Sequence, residues 1–282
     1  MAIAIEPRRL GTDAAAALYL DLMKKCLANT IYGEAEELVA CDFKDSWRKR
    51  HVQRLFARKG IVLARPRKLR DARGEGLDNN PRAHTMIGLA RLDNIQQCVE
   101  RVIAERVPGD LIETGVWRGG ATAFMRAILK AHEITDRTVW VADSFDGLPP
   151  PDVARYPQDE GDTHHQNRWL AIPRTEVEET FRRYGLLDGQ VRFLEGWFAD
   201  TLPRAPIERL AVMRLDGDMY GSTMDALKNL YPKLSVGGYV IVDDWEVIPT
   251  CRRAIDDFRA SHGITERVMP VDGNAGYWRR ER

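Results

Sequence analysis

The chain has 282 residues, 44% of them apolar, enough to bury a sizeable core in one large domain or in one domain with an appendage. Its 42 basic and 42 acidic side chains cancel, so composition gives no general pull toward nucleic acid or an anionic membrane, and any partner has to be read from a site. The four cysteines (Cys26, Cys41, Cys98, Cys251) form no C-x-x-C pair, which argues against a zinc knuckle or a disulfide framework and fits small buried hydrophobes in a reducing compartment.

The opening stretch MAIAIEPRRLG has a very short apolar run and includes Glu6, so it does not read as a signal peptide. No apolar run is long enough to span a bilayer, and a cytoplasmic protein is expected. From Asp13 to Gly33 the residues Leu18, Leu22, Met23, Leu27 and Ile31 recur at helical spacing, with Asp13 as N-cap and Gly33 as the glycine past the end. Such a helix needs a partner surface. The next stretch, KDSWRKRHVQRLFARKGIVLARPRKLRDARGEG, carries a dozen Lys or Arg against three acids. Without interleaved stacking aromatics it is expected to be a solvated linker or a subunit contact rather than a nucleic-acid site.

After an amphipathic helix in NNPRAHTMIGLARLDNIQQCVERVIAE the pattern becomes regular. Apolar runs at Leu111–Ile112, Thr138–Phe145, Gln190–Phe198, Arg209–Asp218 and Gly237–Trp245 are separated mostly by helical stretches. Alternation of this kind predicts a parallel sheet covered on both faces, with ligands at the carboxyl ends of its strands.

The first strand leads into LIETGVWRGGATAFMRAILKA, a strand, glycine turn and helix. Trp117 stands where the second glycine of G-x-G-x-x-G should be, which disfavours a dinucleotide, and Ala121 replaces the lysine of a phosphate loop. What remains is Glu113-x-Gly115. A carboxylate there repels phosphate but suits an ammonium or hydroxyl, which points to the aminoacyl end of S-adenosylmethionine. Asp143, at the end of the second strand, is placed for ribose hydroxyls. His84 is placed to line the same pocket or to cap the next helix, Trp197 to lie against the adenine or to fill the core, and His164 and His165 to be exposed loop residues.

Asp216 and Asp218 end one strand, and Asp243 and Asp244 end the next. Four carboxylates at one sheet edge repel unless a cation lies between them, and an all-oxygen set selects Mg²⁺, Mn²⁺ or Ca²⁺. Helix capping is the competing use. It is weakened for the first pair because Ser222 and Asp225 form a capping box of their own, and for the second because the next helix starts near Pro249. Asp256 and Asp257, within that helix, are expected on a solvated face.

The segments AHTMIGLARLDN, VPGDLIETGVWRGGATAFMRAILKA, TVWVADSFDGLPPPD, RYGLLDGQVRFLEGWFADTLP, LAVMRLDGDMYGSTMDALKNLYPKLSVGGYVIVDDW and AGYWRR closely resemble the macrocin O-methyltransferase family, from about Ala83 to the C-terminus. The resemblance implies a class I S-adenosylmethionine-dependent methyltransferase fold: α/β, Rossmann-like, a seven-stranded mostly parallel sheet with one antiparallel strand, and an N-terminal helical extension. On this division residues 1–82 are an extension that covers the acceptor or makes an oligomer contact, and residues 83–282 are the methyltransferase domain, with YWRR in the final hairpin.

The same resemblance implies cofactor contacts along Glu113, Thr114, Gly115, Val116, Trp117, Arg118 and Gly119. Thr85 and Met86, Asp143 with Ser144, and Trp197 complete the expected set. It implies Mg²⁺ on Asp216, Asp243 and Asp244, with Asp218 or Asp216 as base, and a homodimer or higher homo-oligomer acting on a small-molecule glycoside in antibiotic biosynthesis. A catechol-type acceptor fits the same chemistry, because a cation chelates either kind of diol. A nucleotide-sugar oxidoreductase or epimerase fits less well, given the missing G-x-G-x-x-G.

Overall fold

The computed structural model describes residues 12–31, 36–41, 46–68 and 82–282. Helix α1 (Thr12–Leu27) buries Ala16, Leu20, Met23 and Leu27, a stripe at helical spacing that packs against the main body. Leu18, Leu22 and Ile31, expected on the packed side, are instead exposed, because the stripe through Leu20 is the one that meets the core. The helix ends in a left-handed Asn29 (φ 51°), with the Thr30 amide donating to the Lys25 carbonyl and the Asn29 amide to that of Cys26. That is a Schellman closure by asparagine. Gly33, expected in this role, and the side chain of Asp13 lie outside the described residues.

The basic stretch is not wholly helical. β1 (Glu36–Ala40) and β2 (Ala64–Lys68) pair antiparallel on either side of α2 (Trp47–Ala57), which buries none of its own residues. Ser46 caps α2 by accepting from the Lys49 amide.

From here the expected alternation appears: α3 (Leu89–Ala104), β3 (Asp110–Thr114), α4 (Gly120–Ala131), β4 (Val139–Asp143), α5 (Arg174–Arg183) and β5 (Val191–Glu195). There follow α6 (Phe198–Thr201), β6 (Leu210–Leu215), α7 (Tyr220–Leu230), β7 (Leu234–Val242), α8 (Pro249–Ser261), β8 (Met269–Pro270) and β9 (Gly276–Arg279). The strands form a seven-stranded sheet in the order β5-β4-β3-β6-β7-β9-β8. Only β9 runs antiparallel, pairing with β7 on one side and β8 on the other. The final hairpin implied for YWRR is therefore present.

Strand alternation divides the core. Leu111, Val139, Val141 and Ile241 join Leu92, Ile95, Phe124 and Ile128 on the face covered by α1, α3, α4 and α5. Ile112, Met213, Leu215 and Val240 join Leu227, Ile255 and Phe258 on the face covered by α7 and α8. Each fully buried side chain of this kind contributes about 1.5–3 kcal/mol. The chain leaves β3 in one direction toward β4 and β5 and later returns to its other side as β6 and β7. A crevice is thereby left beyond the carboxyl ends of β3 and β6. All four cysteines are free; Cys98 and Cys251 are buried, whereas Cys26 and Cys41 are partly exposed. Among the described residues no helix is long and apolar enough to cross a membrane.

Candidate active site

At the end of β3 the chain turns through Gly115 (φ +81°). A Cβ there would lie 1.8 Å from the Asp216 carbonyl oxygen, so the close approach of the end of β6 by itself requires a glycine. The Asp216 amide donates to the Thr114 carbonyl at 2.9 Å and completes the joint. The turn continues through Trp117, held at φ +46° with Arg118 stacked 4.4 Å over its ring, to Gly119, which abuts Val177. Gly120 opens α4 with its amide on the His84 carbonyl.

Asp143 braces this turn. Its carboxylate accepts from the Val116 and Phe145 amides, each at 2.7 Å, while one edge of it faces the crevice. Burial raises its pKa against those hydrogen bonds. Glu113 is 1% exposed and does not reach the crevice. One of its oxygens accepts from Thr122 and the other from Arg214 Nη1 at 2.5 Å, so the expected direct contact with an ammonium group gives way to an anchored carboxylate.

The crevice is open to solvent on one side and spans about 610 Å³, the solvent at its mouth included. Met86, Gly115, Trp117, Asp143, Ser144 and Trp197 line it, and so do Asp216 and Asp218. Leu148, Pro149, Leu170, Phe198 and Ser222 also line it, beyond the site residues that the sequence singles out. The signal for the first two was the turn SFDGLPP directly after Asp143. Thr85, Thr114, Val116, Arg118 and Gly119 stand behind the wall. Thr85 accepts from the Ile87 amide at 3.3 Å, and Arg118 donates to the Ala83 carbonyl at 3.0 Å. His84 does not line the crevice, and it does not cap the next helix, α3, whose N-cap is Gly88. Its ring meets the Tyr184 hydroxyl at 2.8 Å and its backbone ties α1 to α4.

On the other side of the crevice, oxygens of Asp216, Asp218 and Asp244 all lie within 4.8 Å of one another. Asp244 Oδ2 is buried without a hydrogen-bond partner. Burial, then neighbouring carboxylates, push the Asp216 and Asp244 pKa values well up. Asp218, in a left-handed conformation (φ +54°), is pushed to about 6 by burial, offset in part by His164. Asp243 lies beside the trio rather than within it. Its Oδ2 accepts from Arg91 Nη1 at 2.7 Å and its Oδ1 from Arg214, and these guanidiniums outweigh burial and hold its pKa down. The set is all oxygen, anionic and short of positive charge, which fits a hard divalent cation.

The capping box expected from Ser222 and Asp225 does not form. Asp159, from the loop after β4, accepts from the Tyr220 and Gly221 amides at 2.8 Å each and caps α7 from outside. Asp225 is taken instead by Tyr156 (2.6 Å) and Arg155 (2.7 Å). His164 and His165, expected to be exposed, are half-buried, and the His164 ring is held by Asp162 at 2.7 Å. Asp256 and Asp257 are exposed on α8 as expected.

A family model described as macrocin O-methyltransferase matches residues 16–280. The chain is 50% identical over 272 residues to a demethyldecarbamoylnovobiocin O-methyltransferase of Streptomyces niveus, covering 96% of each. It is 48% identical over 266 residues to a mycinamicin III 3''-O-methyltransferase of Micromonospora griseorubida, covering 93% of this chain and 96% of that one. Among solved structures, the O-methyltransferase NovP superposes with a TM-score of 0.79 at 49% identity, covering 95% of this chain and 100% of its own.

Proposed function

The chain belongs to the macrocin O-methyltransferase family, and from that premise we propose that it transfers the methyl group of S-adenosylmethionine to a sugar hydroxyl of a glycosylated natural product, with Mg²⁺ at its acid cluster. The observation that carries the reading is the crevice itself: the Gly115 turn and Asp143 form one wall, and Asp216 and Asp218 form the other. When bound, the cofactor would supply an already activated methyl group, and the cation would lower the pKa of a sugar hydroxyl.

The residues divide the remaining work. Gly115, Trp117, Asp143, Ser144 and Trp197 form the wall for the cofactor, with Met86 closing one side. Thr85, Glu113, Thr114, Val116, Arg118 and Gly119 support that wall from behind. Asp216 and Asp244 are assigned to the cation together with Asp243, which its two arginines keep ionised and whose oxygens each retain a second lone pair. Asp218, at the crevice and with a pKa near 6, is the base that takes the acceptor proton. Holding the acceptor in line with the methyl group supplies the rest of the rate gain.

Residues 83–282 are assigned as the methyltransferase domain, and residues 1–82 as the cover for the acceptor or the contact between copies. The outward Leu18 and Leu22 of α1, 60% and 54% exposed, support the homo-oligomer. The four free cysteines support a reducing, cytoplasmic setting.

The test is calorimetric titration of the dialysed protein with S-adenosylhomocysteine, followed by a methyl-transfer screen of deoxysugar glycosides and catechols with Mg²⁺ or EDTA. Binding together with Mg²⁺-dependent methylation of a glycoside is expected. Turnover of catechols alone would overturn the sugar assignment, and full activity in EDTA would overturn the cation.

A further inference from the structure

Arg214 is a charged residue in the middle of the sheet. It stands on β6, whose six residues are all buried, and is itself 1% exposed. A guanidinium placed there costs several kcal/mol unless it is fully paired. Its pairing is unusual in reach. Nη1 donates to Glu113 Oε1 at 2.5 Å and to Asp216 Oδ2 at 3.0 Å, and Nη2 donates to Asp243. One planar group therefore touches the carboxyl-terminal regions of β3, β6 and β7. Through Asp243 it also meets Arg91 of α3, which in turn holds Asp272 in the final hairpin at 2.9 Å.

Two of these three acids belong to the proposed cation site. The third, Glu113, leads directly into the Gly115 turn that forms the cofactor wall, and its other oxygen accepts from Thr122 in the first turn of α4. Neither Arg214 nor Glu113 lines the crevice, so neither is placed to touch the reacting atoms.

We propose that Arg214 is a positioning residue that couples cofactor binding to cation binding, through a guanidinium shared among Glu113, Asp216 and Asp243. The inference rests on the reading of the crevice given above. A cation drawn to Asp216 and Asp243 competes with the guanidinium for their oxygens. The guanidinium then pairs more completely with Glu113, which fixes the strand end that carries the cofactor turn. By linkage, cofactor binding must strengthen cation binding by the same factor.

The probes are S-adenosylhomocysteine and Mn²⁺. The thioether lacks the sulfonium charge, so direct repulsion between a cationic sulfur and the metal does not enter. In the wild-type protein, saturating Mn²⁺ is expected to tighten S-adenosylhomocysteine, measured by calorimetry, by about fivefold or more, the lower end of typical coupling. The homocysteine ligand is expected to tighten Mn²⁺, measured from the free-ion paramagnetic resonance signal, by the same factor. In Arg214→Lys a single ammonium cannot span three carboxylates. Each ligand should still bind alone while the factor falls to about one, with circular dichroism confirming the fold. Glu113→Gln, which removes the charge at the cofactor end without changing size, should also bring the factor to about one.

A wild-type factor of one overturns the proposal even if neither variant folds, and so does a factor that persists in either folded variant. Failure of the wild-type protein to bind either probe overturns the functional reading itself. Binding of the homocysteine ligand without Mn²⁺ removes the cation and the coupling together, while leaving the cofactor site standing.

Discussion

The two walls of the crevice hold their acids in opposite ways. On the β3–β4 side, Glu113 and Asp143 are supplied with donors by the protein itself: Thr122 and Arg214 for the first, two backbone amides for the second. On the β6–β7 side, Asp216, Asp218 and Asp244 converge on one another, and Asp244 Oδ2 has no donor. One wall is electrostatically complete and serves as a frame. The other is short of positive charge, and a group placed there gains by binding it. Asp243 and Asp216 mark the border, since arginines of the complete network reach both, Arg91 and Arg214 the first and Arg214 the second, while Asp244 belongs to the incomplete side.

The largest expected effect lies on the incomplete side. Asp218→Asn should lower kcat by about 10²–10⁴-fold, the usual contribution of a positioned base, with S-adenosylhomocysteine affinity unchanged. Steady-state kinetics beside calorimetry check this, and a variant within tenfold of wild type would remove Asp218 as the base. Next comes the joint between the walls. Gly115→Ala puts a Cβ onto the Asp216 carbonyl and asks for a left-handed alanine, so denaturant unfolding should show a loss of at least about 3 kcal/mol. A loss below about 1 kcal/mol would mean that the walls are not rigidly joined there.

The sheet was legible because the apolar runs of β3 to β7 alternate with helical stretches, and that period survives any tertiary context. β1 and β2 were not, since Glu36–Ala40 and Ala64–Lys68 are short, and the second is mostly basic with a proline inside it. The acids of the incomplete wall were legible from their place after two strands. Their partners were not. Arg214 sits in a run that reads as apolar, and its meaning comes from Glu113, 101 residues earlier in the chain. Asp159 is one polar residue in a polar loop, 61 residues from the first amide it caps. Short-range patterns find residues that act through their own element, and they miss those that act across the fold.

A smaller effect separates the walls by stability. Asp244→Asn relieves crowding among the three acids, so in EDTA it should melt above wild type by about 2–4 °C, the shift that roughly 1 kcal/mol produces in a large domain. Added Mg²⁺ should reverse the order, because only the wild-type site gains a bound ion. Differential scanning fluorimetry reads both. A wild-type protein already above the variant in EDTA would mean that the acids are not in conflict.

The smallest effect concerns how each wall fixes its turn. On the cofactor side Asp143 braces the residues of the adjoining turn, whereas on the acid side Asp159 reaches in from another loop to hold the α7 amides next to Gly217 and Asp218. Loss of a capping acid costs about 0.5–2 kcal/mol, so Asp159→Ala should destabilise by about that amount. Ser222→Ala should change stability by less than about 0.5 kcal/mol, because the serine makes no capping bond. Denaturant midpoints of the two variants decide between the long-range cap and the local box that the sequence suggests. If Ser222→Ala proves the costlier change, the acid wall is held by its own helix, and the contrast between the walls loses this element.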